Sequence, residues 1–188
     1  MKDFFKNISN DILDNLNMSQ YQIIDNNEYQ NYYVDKSSKE HYRLLTYISN
    51  SFNGETFVDV GTLKGSSALA LSTNKQNKVF SFNLSSQLEL NTIPENAEFI
   101  IDNVISGQYD TMLLSSKIIL LDTFHDGGFE LEFLNYLKGI NYSGVLILDD
   151  IHLNNEMKSF WENINEDKLD ISNVGHVSGT GVVFLNNL

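Results

Sequence analysis

Residues 55–72 read ETFVDVGTLKGSSALALS. Phe57, Val58 and Val60 are β-formers interrupted only by Asp59, the pattern of a strand buried on both faces. Gly61 and Gly65 bracket the turn that follows, where glycine permits positive φ and lets the backbone approach a ligand. Ser66 or Ser67 is placed to cap a helix whose apolar positions are Ala68, Leu69 and Leu71. The stretch therefore predicts a strand, a ligand-holding loop and a helix whose free N–H groups favour a polar or anionic group. It is not the G-x-G-x-x-G of a dinucleotide site, because position 63 is Leu and position 66 is Ser. An acid just before the turn also repels phosphate. Glycines at this spacing occur in ordinary turns as well, so the rest of the chain has to decide.

The 188 residues suit one domain, and 41% hydrophobic content with 12% aromatics is enough to fill a single core. A net charge of -13, with 12 basic residues against 25 acidic, argues against nucleic acid as a partner, since phosphate binding needs a concentrated basic surface. Most of those carboxylates read as solvated surface. The absence of cysteine excludes disulfides, thiolate metal sites and thiol nucleophiles. No apolar run reaches the ~20 residues of a membrane span, and MKDFFKNISND has neither the basic region nor the apolar core of a signal. A cytoplasmic protein without membrane attachment is expected; homo-oligomer formation is left open.

Phe5, Ile8, Ile12 and Leu16 recur at helical spacing, predicting an amphipathic helix over 3–17. The tyrosine-rich segment Tyr21 to Val34 has no period and reads as irregular. Ser37 and Glu40 have the form of a capping box, and Tyr42, Leu44, Leu45 and Ile48 give the following helix its apolar face, ending near Asn53-Gly54. Strands are predicted at Lys78 to Leu84, Glu98 to Asp102, Lys117 to Asp122 and Gly144 to Asp150. Helices are predicted at Gln108 to Ser115 and Phe129 to Leu137, and a further one on Leu153, Met157, Phe160, Trp161 and Ile164. Leu169 to Val177 and Gly181 to Leu185 close the chain as a hairpin joined by Ser178-Gly179-Thr180.

Such alternation implies an α/β fold: a mostly parallel, Rossmann-like sheet with helices on both faces and an antiparallel C-terminal hairpin. The D-V-G-T-L-K-G spacing and the element order, including the GTGVVF end, resemble class I S-adenosylmethionine-dependent methyltransferases, with their seven-stranded sheet. The resemblance covers 38–188 and leaves 1–37 as a separate N-terminal cap segment. It implies that S-adenosylmethionine sits against Asp59, Gly61, Thr62, Gly65, Ser66 and Ser67, and a carboxylate there suits the ammonium of its methionine part. Asn83 stands where these proteins hold the ribose with an acid, and Asp102 where an acid reaches the adenine amino group. Asn83 offers hydrogen bonds without the charge.

Ligands of open α/β sheets bind beyond the carboxyl ends of the strands, and this chain ends its strands in Asp59, Asn83, Asp102, Asp122 and the Asp149-Asp150 pair. Any one such acid can simply cap a helix. Asp122, Asp149 and Asp150 on adjacent strands repel one another unless protons or a cation compensate, and oxygen ligands suit Mg²⁺ or Ca²⁺. His125 is placed to take a proton from an acceptor hydroxyl. LDTFHDGG and GVLILDDIH resemble the D-x-x-H and D-D elements of metal-dependent small-molecule O-methyltransferases. The resemblance assigns Asp122, Asp149 and Asp150 to the metal, His125 to the base and a small molecule to the acceptor. A non-catalytic or other-chemistry member of the fold, binding a nucleoside or a protein, is the alternative. Lys64 reads as solvated surface, and His41, His152 and His176 have no partner assignable from sequence.

Overall fold

The computed structural model describes residues 1–18 and 36–185. The tyrosine-rich segment and the side chains of Ser37 and Glu40 lie outside the described residues. In chain order the elements are α1 (Lys2–Lys6), α2 (Asn10–Asp14), α3 (Lys36–Ser51), β1 (Thr56–Val60), α4 (Ser66–Leu71), β2 (Lys78–Asn83), β3 (Ala97–Ile101), α5 (Asp110–Ser115), β4 (Ile118–Leu121), α6 (Gly128–Gly139), β5 (Gly144–Asp149), α7 (Asn155–Asn163), β6 (Asp167–Asp170) and β7 (Thr180–Leu185).

The strands form one seven-stranded sheet in the order β3-β2-β1-β4-β5-β7-β6. β1 to β5 pair in parallel, and β7 runs antiparallel between β5 and β6. The order reverses between β1 and β4, which opens a crevice at their carboxyl ends. Successive side chains of a strand point to opposite faces, and the core divides accordingly. Phe57, Leu120, Val145, Ile147 and Val182 belong to one buried cluster, with Leu44, Leu45 and Ile48 of α3. Val58, Ile119, Leu121, Leu146, Leu148 and Val183 belong to the other, with Phe133 of α6 and Phe160 of α7. Apolar side chains on both faces account for the unbroken runs IILL and GVLIL.

Two expectations need correction. The helix over 3–17 is two short helices, because Ser9 takes an extended conformation and its Oγ accepts from Ile12 N, starting a new helix. The break rotates the buried face: Phe5, Ile8 and Leu13 enter the core while Ile12 is exposed. Arg43 Nη1 on α3 donates to the carbonyls of Leu13 (3.1 Å) and Leu16 (3.2 Å), tying α2 to α3. The second correction concerns the closing hairpin. β6 stops at Asp170, whose Oδ1 accepts from Ser172 N (2.9 Å) and Ser172 Oγ in a side-chain turn. The connection then runs from 171 to 179 instead of through Ser178-Gly179-Thr180 alone. His152 N donates to Ser178 O (2.8 Å) and Ile151 N to Gly179 O (3.3 Å), which folds this connection over the end of β5.

Phe5 is 1% exposed and packs edge-on to Phe184, 6.0 Å between ring centroids. Truncating it leaves a cavity between α1 and the sheet, so Phe5→Ala is expected to lower the unfolding free energy by about 3–5 kcal/mol, measured by urea titration. A loss under about 1 kcal/mol would mean that α1 does not unfold with the sheet.

Candidate active site

Asp59 is fully buried behind the glycine turn. Its Oδ2 accepts from Ser81 Oγ (2.5 Å) and Ser67 Oγ (3.1 Å), and Ser81 Oγ also meets Thr62 Oγ1 at 2.5 Å. Ser67 is thus spent on Asp59 and does not cap α4; the N-cap is Gly65, at φ +97 and without a side-chain cap bond. The turn demands glycine at both positions, and at Gly61 rigid backbone packing demands it as well. A Cβ on Gly61 would lie 1.6 Å from the Asp122 carbonyl oxygen, and one on Gly65 2.6 Å from Leu88 Cδ1. Lys64 pairs with Glu89 at 3.0 Å.

A cavity of about 610 Å³ lies at the carboxyl ends of β1 to β4, within the usual size of a small-molecule site. Gly61, Asn83, Asp102, Asp122 and His125 line it, together with Val60, Phe82, Val104 and Phe129. Asp59, Thr62, Gly65, Ser66 and Ser67 do not. Asn83 Nδ2 donates to Ser85 O (2.9 Å). The Asp102 carboxylate receives Tyr109 OH (2.9 Å), Asn103 N (2.7 Å) and Gln108 Nε2 (2.5 Å), and these bonds, Tyr109 first, hold its pKa down.

Beside the cavity, Asp122, Asp149 and Asp150 do converge, and three histidines converge with them. Asp149 Oδ1 lies 3.4 Å from His41 Nδ1 of α3 and 3.4 Å from His176 Nδ1 of the β6–β7 connection. His176 Nδ1 is also 2.9 Å from Asp150 Oδ1, which accepts from Ser178 Oγ. His125 Nε2 is 3.3 Å from Asp122 Oδ1 and 3.6 Å from Asp150 Oδ2. His152 pairs with Asp170 at 2.8 Å, away from the cluster. His41, His152 and His176 therefore have acidic partners, none of which could be read from the sequence, since each pair joins segments distant in the chain.

The electrostatics follow from this crowding. Burial, and next the charge of Asp149, push the Asp122 carboxyl up. Burial disfavours protonation of His125 and His176, but the facing carboxylates outweigh it and raise them to about 9 and about 10. Burial likewise opposes ionisation of Asp150, whose bonds to His176 and Ser178 prevail and lower its pKa. The imidazoles thus act as counter-charges for the acids.

The loop bearing His125 is held by residues the sequence reading passed over. Glu130, buried in the first turn of α6, accepts at Oε1 from His125 N (3.0 Å) and Thr123 Oγ1 (3.2 Å). Asn154 Nδ2 donates to His125 O (2.8 Å), while its Oδ1 caps α7 through Met157 N (2.8 Å). Asn154 carries a legible signal, a cap residue before an apolar helix; an acid in a first turn carries none that distinguishes Glu130. Leu63, His125 and Asp150 all have left-handed backbones, at φ 43, 53 and 59. For residues other than glycine such conformations are uncommon and collect at functional sites.

Mg²⁺ or Ca²⁺ requires oxygen ligands in a pocket of compensating charge, and the three carboxylates fit that requirement. Asp149 Oδ1 is buried and, among the described residues, makes no hydrogen bond, with only the His41 and His176 rings 3.4 Å away. Asp122 and Asp149 form a possible ligand group with His41, and Asp149 and Asp150 one with His125.

No protein-family profile matches the chain, and no curated protein is similar to it in sequence. Its fold is shared by solved structures. An S-adenosylhomocysteine-bound methyltransferase of Podospora anserina, PaMTH1, superposes with a TM-score of 0.62 at 11% identity, covering 92% of this chain and 89% of that one. Cofactor-bound Rv0187 from MTB gives 0.60 at 13%, covering 78% and 80%. The O-methyltransferase TomG of Streptomyces achromogenes, in complex with S-adenosylmethionine, gives 0.56 at 10%, covering 78% and 79%.

Burial raises the Asp59 carboxyl from 3.8 to about 7 against the hydrogen bonds of Ser81 and Ser67. The folded state therefore keeps a proton that the unfolded chain loses near pH 3.8. This contribution is complete below that pH and is lost as pH rises to about 7, on the order of 4 kcal/mol at about 1.36 kcal/mol per unit. Asp59→Asn should remove that slope and be the more stable protein at pH 8, read from urea midpoints at pH 5 and pH 8. Equal pH dependence in both proteins would mean that Asp59 is ionised in its pocket. The chain has the seven-stranded Rossmann-like fold of S-adenosylmethionine-dependent methyltransferases.

Proposed function

We propose that the protein transfers a methyl group from S-adenosylmethionine to a hydroxyl of a small molecule, with a divalent cation on Asp122, Asp149 and Asp150. One observation carries this reading: the cavity at the sheet's switch point and the acid cluster share a wall, formed by Asp122 and His125. S-adenosylmethionine and its product are what TomG and PaMTH1 hold in the same fold.

In this reading Val104 and Phe82 cover the flat faces of the adenosyl group, and Asn83 and Asp102 meet its polar edges. Asp59, Ser67, Ser81 and Thr62 keep the glycine turn in place from behind. Leu63, Leu84 and Phe124, all exposed, form an apolar rim against which an acceptor lies and water is excluded. The sulfonium supplies a methyl group already primed for displacement, so orientation and removal of one proton remain for the protein. In transfer the acceptor oxygen would attack the methyl carbon in line, the carbon–sulfur bond would break to leave the thioether, and the hydroxyl proton would pass to His125 Nε2, which a cation on the carboxylates frees from its role as their protonated counter-charge. Asp122, Asp149 and Asp150 would hold a cation whose charge would lower the hydroxyl pKa. Glu130 and Asn154 hold His125 at that position from its two backbone sides.

Calorimetry is expected to show one S-adenosylhomocysteine per chain and no binding of NAD or ATP. With labelled S-adenosylmethionine and a panel of catechols and sugars, His125→Asn should slow methyl transfer by about 10²–10⁴-fold and leave S-adenosylhomocysteine affinity unchanged. Preference for NAD would overturn the cofactor; a His125→Asn variant as fast as the parent would remove the base.

A further inference from the structure

We infer that the buried end of the acid cluster is a mixed imidazole and carboxylate metal site, in which His41 is a ligand beside Asp122 and Asp149. The ion it selects is then a first-row transition ion, Mn²⁺, Fe²⁺, Co²⁺ or Zn²⁺, over Mg²⁺ or Ca²⁺. The inference rests on the reading above that a divalent cation sits at this acid cluster, and it puts His41 in the ligand set in place of Asp150.

His41 is 3% exposed, and neither of its ring nitrogens has a hydrogen-bond partner among the described residues. Burying an imidazole in that state is costly, and nearly all buried polar groups in folded proteins avoid it. The atom facing it has the same deficit. Asp149 Oδ1 lies 3.4 Å from His41 Nδ1 and equally far from His176 Nδ1, hydrogen-bonds to neither, and is itself buried and unbonded among the described residues. Two unsatisfied ligand atoms thus confront each other at the edge length of a tetrahedron with ligand bonds of about 2.1 Å. Asp122 completes the group, with all three ligand atoms within 4.8 Å of one another.

The alternative group, His125 with Asp149 and Asp150, is less available. Asp150 is already held by His176 and Ser178. Assigning the ion to His41 also leaves His125 Nε2, in the cavity wall, as the proton acceptor. His41 cannot easily turn away, because Leu44, Leu45 and Ile48 fix α3 against the sheet with no exposure. The donor set decides the ion. Carboxylates alone suit Mg²⁺, Ca²⁺ and Mn²⁺, whereas an imidazole in the shell shifts preference towards the later ions.

The test uses the full chain, stripped with chelator. Co²⁺ titration should show one ion per chain with visible ligand-field bands, not displaced by a hundredfold excess of Mg²⁺. With Mn²⁺, pulsed electron paramagnetic resonance should show ¹⁴N modulation from a coordinated imidazole, retained in His125→Asn and lost in His41→Phe. His41→Phe keeps a ring in the site and should weaken Co²⁺ at least tenfold while binding S-adenosylhomocysteine as the parent does. If that variant fails to fold, the Mg²⁺ competition and the His125→Asn spectrum still decide. Equal affinity for Mg²⁺ and Co²⁺ without nitrogen modulation, or modulation lost in His125→Asn, would overturn the role of His41 and leave the proposed reaction standing. An absence of any ion in a protein that binds S-adenosylhomocysteine would overturn this inference and the cation, but not methyl transfer.

Discussion

Three carboxylates at the ends of neighbouring strands repel one another, and much of the structure around the cavity compensates them. β4 delivers Asp122 and β5 delivers Asp149 and Asp150, at positions fixed by a parallel register that pairs Leu121 with Leu148. Such a cluster in a partly buried cleft needs protons, cations or donors. Among the described residues, partners converge on it from other segments: His125 from the loop after β4, His176 and Ser178 from the connection before β7, while His41 from the helix before β1 faces Asp149 without a hydrogen bond.

Holding these groups in place costs the backbone. Leu63, His125 and Asp150 occupy left-handed conformations at the strand ends, and Gly61 is backed against the Asp122 carbonyl with no room for a side chain. The surrounding core offsets that strain. β1, β4 and β5 are buried on both faces along almost their whole length, so the ends of those strands are stiff points on which to mount a site. Glu130 and Asn154 extend this stiffness into the His125 loop by bonding its backbone from α6 and from the start of α7.

The two flanks of the site are built differently. On the cavity side, apolar walls from Val60, Phe82, Val104 and Phe129 alternate with polar groups such as Asn83, Asp102 and Asn103. On the cluster side nearly every lining group is ionisable. Asp122 and His125 belong to both, which places the charge of the cluster at the edge of a largely apolar cavity, where it is weakly screened.

Local signals in the sequence sufficed for the α/β sheet, the glycine turn and the acids at the strand ends. An apolar strand buried on both faces, such as IILL or GVLIL, and the acid that follows it are properties of consecutive residues. The break at Ser9 and the early end of β6 were hidden because a serine or aspartate that bonds its own backbone looks, in a hydrophobic pattern, like any polar residue. Tertiary structure alone decided the partners. His41 and Asp149 stand 108 positions apart in the sequence, and His176 reached the acids only because the connection from 171 to 179 folds back over β5. It also turned Asp59 from an open ligand position into a buried group behind the loop, since whether a carboxylate meets solvent or serines depends on what packs across from it. Residue types and spacing determine which groups are available; burial and long-range contact determine their charge, their partners and their chemistry.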